Sequence, residues 1–181
     1  DGENCAQRAG CTNAGYCANL SDGECIARVS AAGECLIGKP GLFQEISPAA
    51  RYPFSARSGE SLTIDWQVVI DDSASDLSEL RGVSFYTLIK IEDAATGDLA
   101  YQSRLNIRSM DNAFSIYSLT HVPRGKLVPG RGYVVKLCYF LPEKNECRKK
   151  TDGSGEYEQA RVSDRKVTVK QLFLNIVRVR E

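Results

Sequence analysis

From about residue 42 onward the chain alternates hydrophobic and polar positions with a period of two, the side-chain repeat of an extended strand. Leu62, Ile64, Trp66, Val68 and Ile70 alternate with Thr63, Asp65, Gln67 and Val69. That run predicts a half-buried strand with Trp66 near its centre, ended by Asp71, Asp72, Ser73 and Ser75. Val83, Phe85, Thr87, Ile89 and Ile91 predict a second strand, which turns at Ala94-Ala95-Thr96-Gly97-Asp98 into a third. In this hairpin Tyr101, Leu105 and Ile107 form the dry face and Gln102, Arg104, Asn106 and Arg108 the wet one. Phe114, Ile116 and Ser118 begin a further strand, alternating with Ser115, Tyr117 and Leu119. After His121 the chain turns through Pro123-Arg124-Gly125 and Pro129-Gly130 and re-enters a strand at Tyr133, Val135, Leu137, Tyr139 and Leu141.

The last long run changes phase. Val167 and Val169 share one parity, whereas Leu172, Leu174 and Ile176 share the other. A bulge or corner around Lys170-Gln171 reconciles them. Strands of this number and spacing predict an all-β fold of two antiparallel sheets packed face to face.

Gly38-Lys39-Pro40-Gly41 divides this strand-rich part, residues 41–181, from a cysteine-rich appendage, residues 1–40. Cys5, Cys11, Cys17, Cys25 and Cys35 fall there, in a stretch poor in large apolar side chains. Such density is what a small module uses when it cannot build a core. Residues 24–37 are a candidate short helix, weakened by Gly33. Cys138 and Cys147 bracket eight residues that can fold back on themselves. Closing that loop removes unfolded-state entropy worth roughly 2–3 kcal/mol, which makes the pair the leading expected disulfide. Zinc draws on close cysteine pairs, but the chain has no Cys-x-x-Cys and a single distant histidine. Seven cysteines is an odd number, so one is expected to be free, paired outside the chain, or the means of disulfide-linked self-association.

Composition narrows the function more than it names it. The 181 residues carry 23 Lys and Arg against 23 Asp and Glu, with 43% hydrophobic residues. A chain of this size buries roughly 70% of its unfolded surface, enough for a core without metals. Zero net charge removes the field that draws proteins to nucleic acid, and the basic run Arg148-Lys149-Lys150 is followed by Asp152, Glu156 and Glu158. No apolar run reaches the roughly 20 residues of a membrane span. The chain opens on Asp-Gly-Glu rather than an apolar leader, which reads as a signal peptide removed or never present. The cysteine usage points to an extracellular, cell-surface or periplasmic location. Asn19-Leu20-Ser21 is a glycan acceptor only in a host that glycosylates secreted chains.

Catalytic patterns are thin. His121 is the only imidazole and has no local nucleophile pattern beside it. The carboxylates Asp65, Asp71, Asp72, Asp76, Glu92 and Asp93 include candidates for paired acid–base work. Asp71, Asp72 and Asp76 are also candidates for calcium between loops, without the order of an EF-hand. No phosphate-binding glycine motif or cofactor signature is present. Tyrosine supplies the functional handle: Tyr101, Tyr117 and Tyr157 are candidate contact residues, Tyr157 in the loop Gly153-Ser154-Gly155-Glu156.

Leu127-Val128-Pro129-Gly130-Arg131-Gly132-Tyr133-Val134-Val135-Lys136-Leu137 resembles the turn and penultimate strand of fibronectin type III and related immunoglobulin-like sandwiches, where a Leu-x-Pro-Gly turn leads to a tyrosine. Trp66 in an early strand is similarly placed. The resemblance implies an immunoglobulin-like β-sandwich with extra strands or long loops, a scaffold used for recognition. The function expected is a non-enzymatic extracytoplasmic module that binds another protein, as in a surface assembly or adhesin. The alternatives are carbohydrate binding and an inhibitor presenting a rigid loop from the cysteine-rich segment.

Overall fold

The computed structural model describes residues 23–31, 35–36, 42–47, 51–71, 75, 83–110, 114–141, 146–150, 152–160 and 167–180. Thirteen strands occur among them. They are β1 (Gly23–Ala31), β2 (Cys35–Leu36), β3 (Gln44–Glu45), β4 (Tyr52–Ser55), β5 (Glu60–Asp71), β6 (Ser84–Asp93), β7 (Leu99–Gln102), β8 (Asn106–Ser109), β9 (Ser115–Val122), β10 (Gly132–Phe140), β11 (Glu146–Lys149), β12 (Tyr157–Ala160) and β13 (Val167–Arg180). One antiparallel sheet runs β1-β13-β5-β9, with β2 also on β13. The second runs β3-β10-β6-β7, with β4 also on β10 and β8 also on β6. β11 and β12 form a separate two-stranded ribbon.

The core lies between the two large sheets and follows the alternation of the sequence. Leu62, Ile64, Trp66, Val68 and Ile70 of β5 meet Val135, Leu137 and Tyr139 of β10, and Phe85, Ile89 and Ile91 of β6, all buried in one cluster. Phe85 lies at its aromatic centre, 5.7 Å from Phe114 and 6.4 Å from Tyr139 between ring centroids. The phase change in β13 is a bulge: its register against β5 shifts between Val169 and Gln171, so that Val167, Val169, Leu172, Leu174 and Ile176 all enter the core. Lys170 takes up the extra residue and stays exposed.

The hairpin of β6 and β7 closes through Asp93. Its carboxylate accepts the N–H groups of Ala95 at 2.9 Å and Thr96 at 3.2 Å, and Gly97 donates back to its carbonyl at 2.8 Å. Gly97 has φ +77°, a conformation costly for a residue with a Cβ. Beyond β7 the strand breaks and resumes as β8 against the other end of β6. Leu105 and Ile107, expected inside, are 45% and 60% exposed. The reason is register: Ile107 stands opposite Tyr86, on the face of β6 turned away from the core.

The disulfide-rich part of the expected fold is corrected. No disulfide forms among the described residues, and Cys138 is a buried free thiol. It sits in mid-sheet between Glu45 and Leu88, whereas Cys147 belongs to the separate β11–β12 ribbon, so the expected loop does not fold back onto β10. A Cys25–Cys35 bridge is also excluded by backbone register. Cys25 stands opposite Val177 and Cys35 opposite Thr168, nine positions apart along β13. That separation is about 30 Å at strand rise, far beyond the reach of a disulfide. Residues 23–31 form strand rather than helix because β13 offers them a full pairing edge. Cys5, Cys11 and Cys17 lie outside the described residues. Cys138, buried and unbridged, carries no disulfide-linked association with another chain.

Candidate functional site

The outer face of the six-stranded sheet carries an apolar row that the core does not use. Strand alternation turns Tyr86, Leu88, Lys90 and Glu92 of β6, and Val134, Lys136, Cys138 and Phe140 of β10, away from the core. Register places Phe140 opposite Tyr86, and Tyr86 opposite Ile107 of β8. Phe43, just before β3, packs on Phe140 with centroids 5.6 Å apart, and Phe140 meets Tyr86 at the same distance. Phe43, Phe140, Tyr86 and Ile107 therefore cross the sheet as one ladder. Its rings are half-buried, while Leu42 and Ile107 near its two ends are 69% and 60% exposed.

Charged pairs bound the row on one side. Arg51 grips both carboxylate oxygens of Glu45, at 2.7 to 2.9 Å. Lys136 pairs with Glu92, both half-buried. Between row and rim lie Leu88 and Cys138, each almost fully buried. Burial pushes the Cys138 thiol up to about 11, the nearby charges of Lys90, Glu45, Glu92 and Lys136 acting in smaller and opposing senses.

The sequence-predicted residues are dispersed. Tyr117 is exposed on β9, across the molecule's other sheet, and its phenol is pushed up in pKa by burial first and the charge of Asp65 second. Tyr101 packs against the core and donates its hydroxyl to the His121 carbonyl at 2.9 Å. The backbone of Tyr157 lies on β12 opposite Lys149, its side chain outside the described residues. His121 is exposed on β9. Asp71 ends β5, while Asp72 and Asp76 lie outside the described residues. Among the described residues no three His, Cys, Asp or Glu side chains gather as metal ligands.

A recess open to solvent, with about 220 Å³ of empty space, is lined by Arg57, Glu60, Leu62, Val122 and Leu127 among others. Its one carboxylate is engaged. Glu60 accepts the Arg57 N–H at 2.5 Å and lies 2.6 Å from Arg178 Nε, and Arg178 also donates to the Ser55 carbonyl at 2.8 Å. No described helix is long and apolar enough to cross a membrane.

Sequence reasoning missed Phe43, Tyr86 and Phe140. A signal was present for two of them: Phe85-Tyr86 and Tyr139-Phe140 place large apolar residues at consecutive strand positions, which makes both faces apolar.

No family model matches the chain, and no curated protein matches it. Among solved structures the chain is similar to the T13 viral particle of infectious bursal disease virus, at 8% identity over 89% of this chain and 36% of that one, with TM-score 0.49. The Gx strain of that virus gives 10% identity over 88% and 36%, with TM-score 0.48. Dimeric latent PorU from Porphyromonas gingivalis gives 15% identity over 88% and 13%, with TM-score 0.33. The chain thus spans little more than a third of the viral chains and less of PorU. Likenesses of this strength assign neither family nor activity.

Proposed function

We propose that the protein is a non-enzymatic protein-binding module whose recognition surface is the row from Leu42 and Phe43 through Phe140 and Tyr86 to Ile107. The observation that carries this reading is the alignment of four apolar side chains in one register across four chain segments, on a sheet face that the core does not occupy. A contiguous apolar row, half-buried along its rings and exposed at its ends, with a polar margin favours a partner with apolar side chains of its own. A sugar ring stacks best on a flat, open aromatic face. Here adjacent rings are tilted by 44° and 61°, and the well-exposed positions, Leu42 and Ile107, are aliphatic. This geometry favours protein over carbohydrate. The immunoglobulin-like assignment belongs to the same reading, supported by Tyr133, whose hydroxyl accepts the Val128 N–H at 2.9 Å across the turn that carries the resemblance.

A photo-cross-linking side chain at position 107, in the protein's native extract, tests the site. Position 128 serves as control, since Val128 is comparably exposed but lies off the row. A polypeptide adduct from 107 and none from 128 supports the surface, and identical patterns from both refute it. For the captured partner, Ile107→Asp is expected to weaken binding about tenfold or more without affecting folding.

A further inference from the structure

The free edge of β9 is built differently from the edges at β1, β4 and β7–β8. Ile70 donates to the Phe114 carbonyl at 3.0 Å. This sets the phase of the ladder: even-numbered residues of β9 exchange bonds with β5, and Ser115, Tyr117, Leu119 and His121 turn their N–H and C=O groups away from it. The His121 carbonyl is taken by the Tyr101 hydroxyl. Those of Ser115, Tyr117 and Leu119 have no partner among the described residues, and Tyr117 and Leu119 are 58% and 54% exposed.

Edge strands normally carry a guard against pairing: a charge, a proline, a bulge or a break. β1, at the other edge of the same sheet, has Glu24, Arg28 and a register shift after Cys25. β4 has Pro53, and the β7–β8 edge is broken and shifted at Glu92. β9, Ser-Ile-Tyr-Ser-Leu-Thr-His-Val, has no lysine, proline or carboxylate, and its register against β5 runs unbroken over eight pairs.

We propose that this edge pairs with the same edge of a second copy of the chain, antiparallel about a twofold axis at Tyr117, joining two five-stranded sheets into one. Ser115 then faces the partner's Leu119, Tyr117 faces its own equivalent, and three pairs exchanging two hydrogen bonds each satisfy the open N–H and C=O groups of Ser115, Tyr117 and Leu119. A register centred on Ser118 would instead bring in the His121 carbonyl, which Tyr101 occupies. Nothing electrostatic opposes identical copies: the edge is uncharged and the chain carries 23 basic and 23 acidic residues. No thiol takes part, and the open edge groups are not those of the apolar row, although β8 meets β9 where the Asn106 amide donates to the Ser118 hydroxyl at 3.2 Å.

Sedimentation velocity of the full chain over a dilution series tests it. The expected result is a reversible dimer whose dissociation constant rises about tenfold or more in Tyr117→Lys and in Tyr117→Glu, because each sets like charges directly opposite. Mixing the two variants restores the dimer as a heterodimer. Emission of the single buried Trp66 checks that each variant is folded, and Leu119→Lys replaces one that is not. A wild-type monomer at every concentration overturns the proposal, including one that takes a strand from another protein. So does a dimer indifferent to both variants, or a loss that mixing does not restore. Ile107→Asp leaves this dimer intact, so failure here is separable from failure of the apolar row.

Discussion

At the scale of single residues, Cys138 behaves as a small apolar side chain. Its thiol is buried against Leu88, and burial lifts its pKa to about 11, so little nucleophilic thiolate exists at neutral pH. Alkylation of the native protein should spare Cys138 until denaturant is added, and a peptide map should show it unlinked; a Cys138–Cys147 peptide would contradict the structure. Arg178 and Glu60 face each other with side chains 5% exposed. Removing one leaves the other charged and buried, so Arg178→Met is expected to cost about 3–5 kcal/mol, and adding Glu60→Leu to recover much of it. Trp66 emission during urea unfolding measures both. Asp93 supplies a pH dependence. The N–H groups of Ala95, then Thr96, and the charge of Arg131 hold its carboxyl below the usual range. Its contribution is therefore present above the ordinary carboxylate pKa and is lost as pH falls through the depressed value. The stability gap between wild type and Asp93→Asn should shrink through that window, and a gap constant with pH would refute the assignment.

At the scale of elements, legibility followed how many faces of a strand the core claims. β10 was readable because its buried and half-buried positions alternate, β5 because its large apolar side chains share one face even though Ser61, Thr63 and Asp65 on the other are buried as well, and the β13 bulge because Val169 and Leu172 are three residues apart and both in the core. Deleting Lys170 should remove cooperative unfolding, since the two halves of β13 can no longer share a core face, whereas Lys170→Ala should change stability by less than about 0.5 kcal/mol. A bulge without consequence would leave both variants alike. Leu105 and Ile107 were misplaced because alternation reveals that two faces differ, not which of them meets the core. The row at Tyr86 and Phe140 was hidden for the converse reason: alternation weakens when both faces are apolar. Strand pairing partners carry no local signature, so residues 24–31 read as readily as helix, and Cys138 and Cys147 looked close because they are close in sequence.

At the scale of the whole molecule, the two sheets recruit the chain differently. The six-stranded sheet is assembled from residues 44–140, whereas the five-stranded sheet places the last strand, β13, between β1 from the beginning and β5 from the middle. During synthesis β5 therefore waits for a partner strand far along the chain. Until residues 167–180 emerge, β5 lacks one neighbour along its whole length, and Trp66 lacks Leu174 across the ladder. A chain that stops at residue 166 is missing the keystone of a sheet rather than a tail. It would present an open Leu-x-Ile-x-Trp-x-Val edge to every other nascent copy nearby.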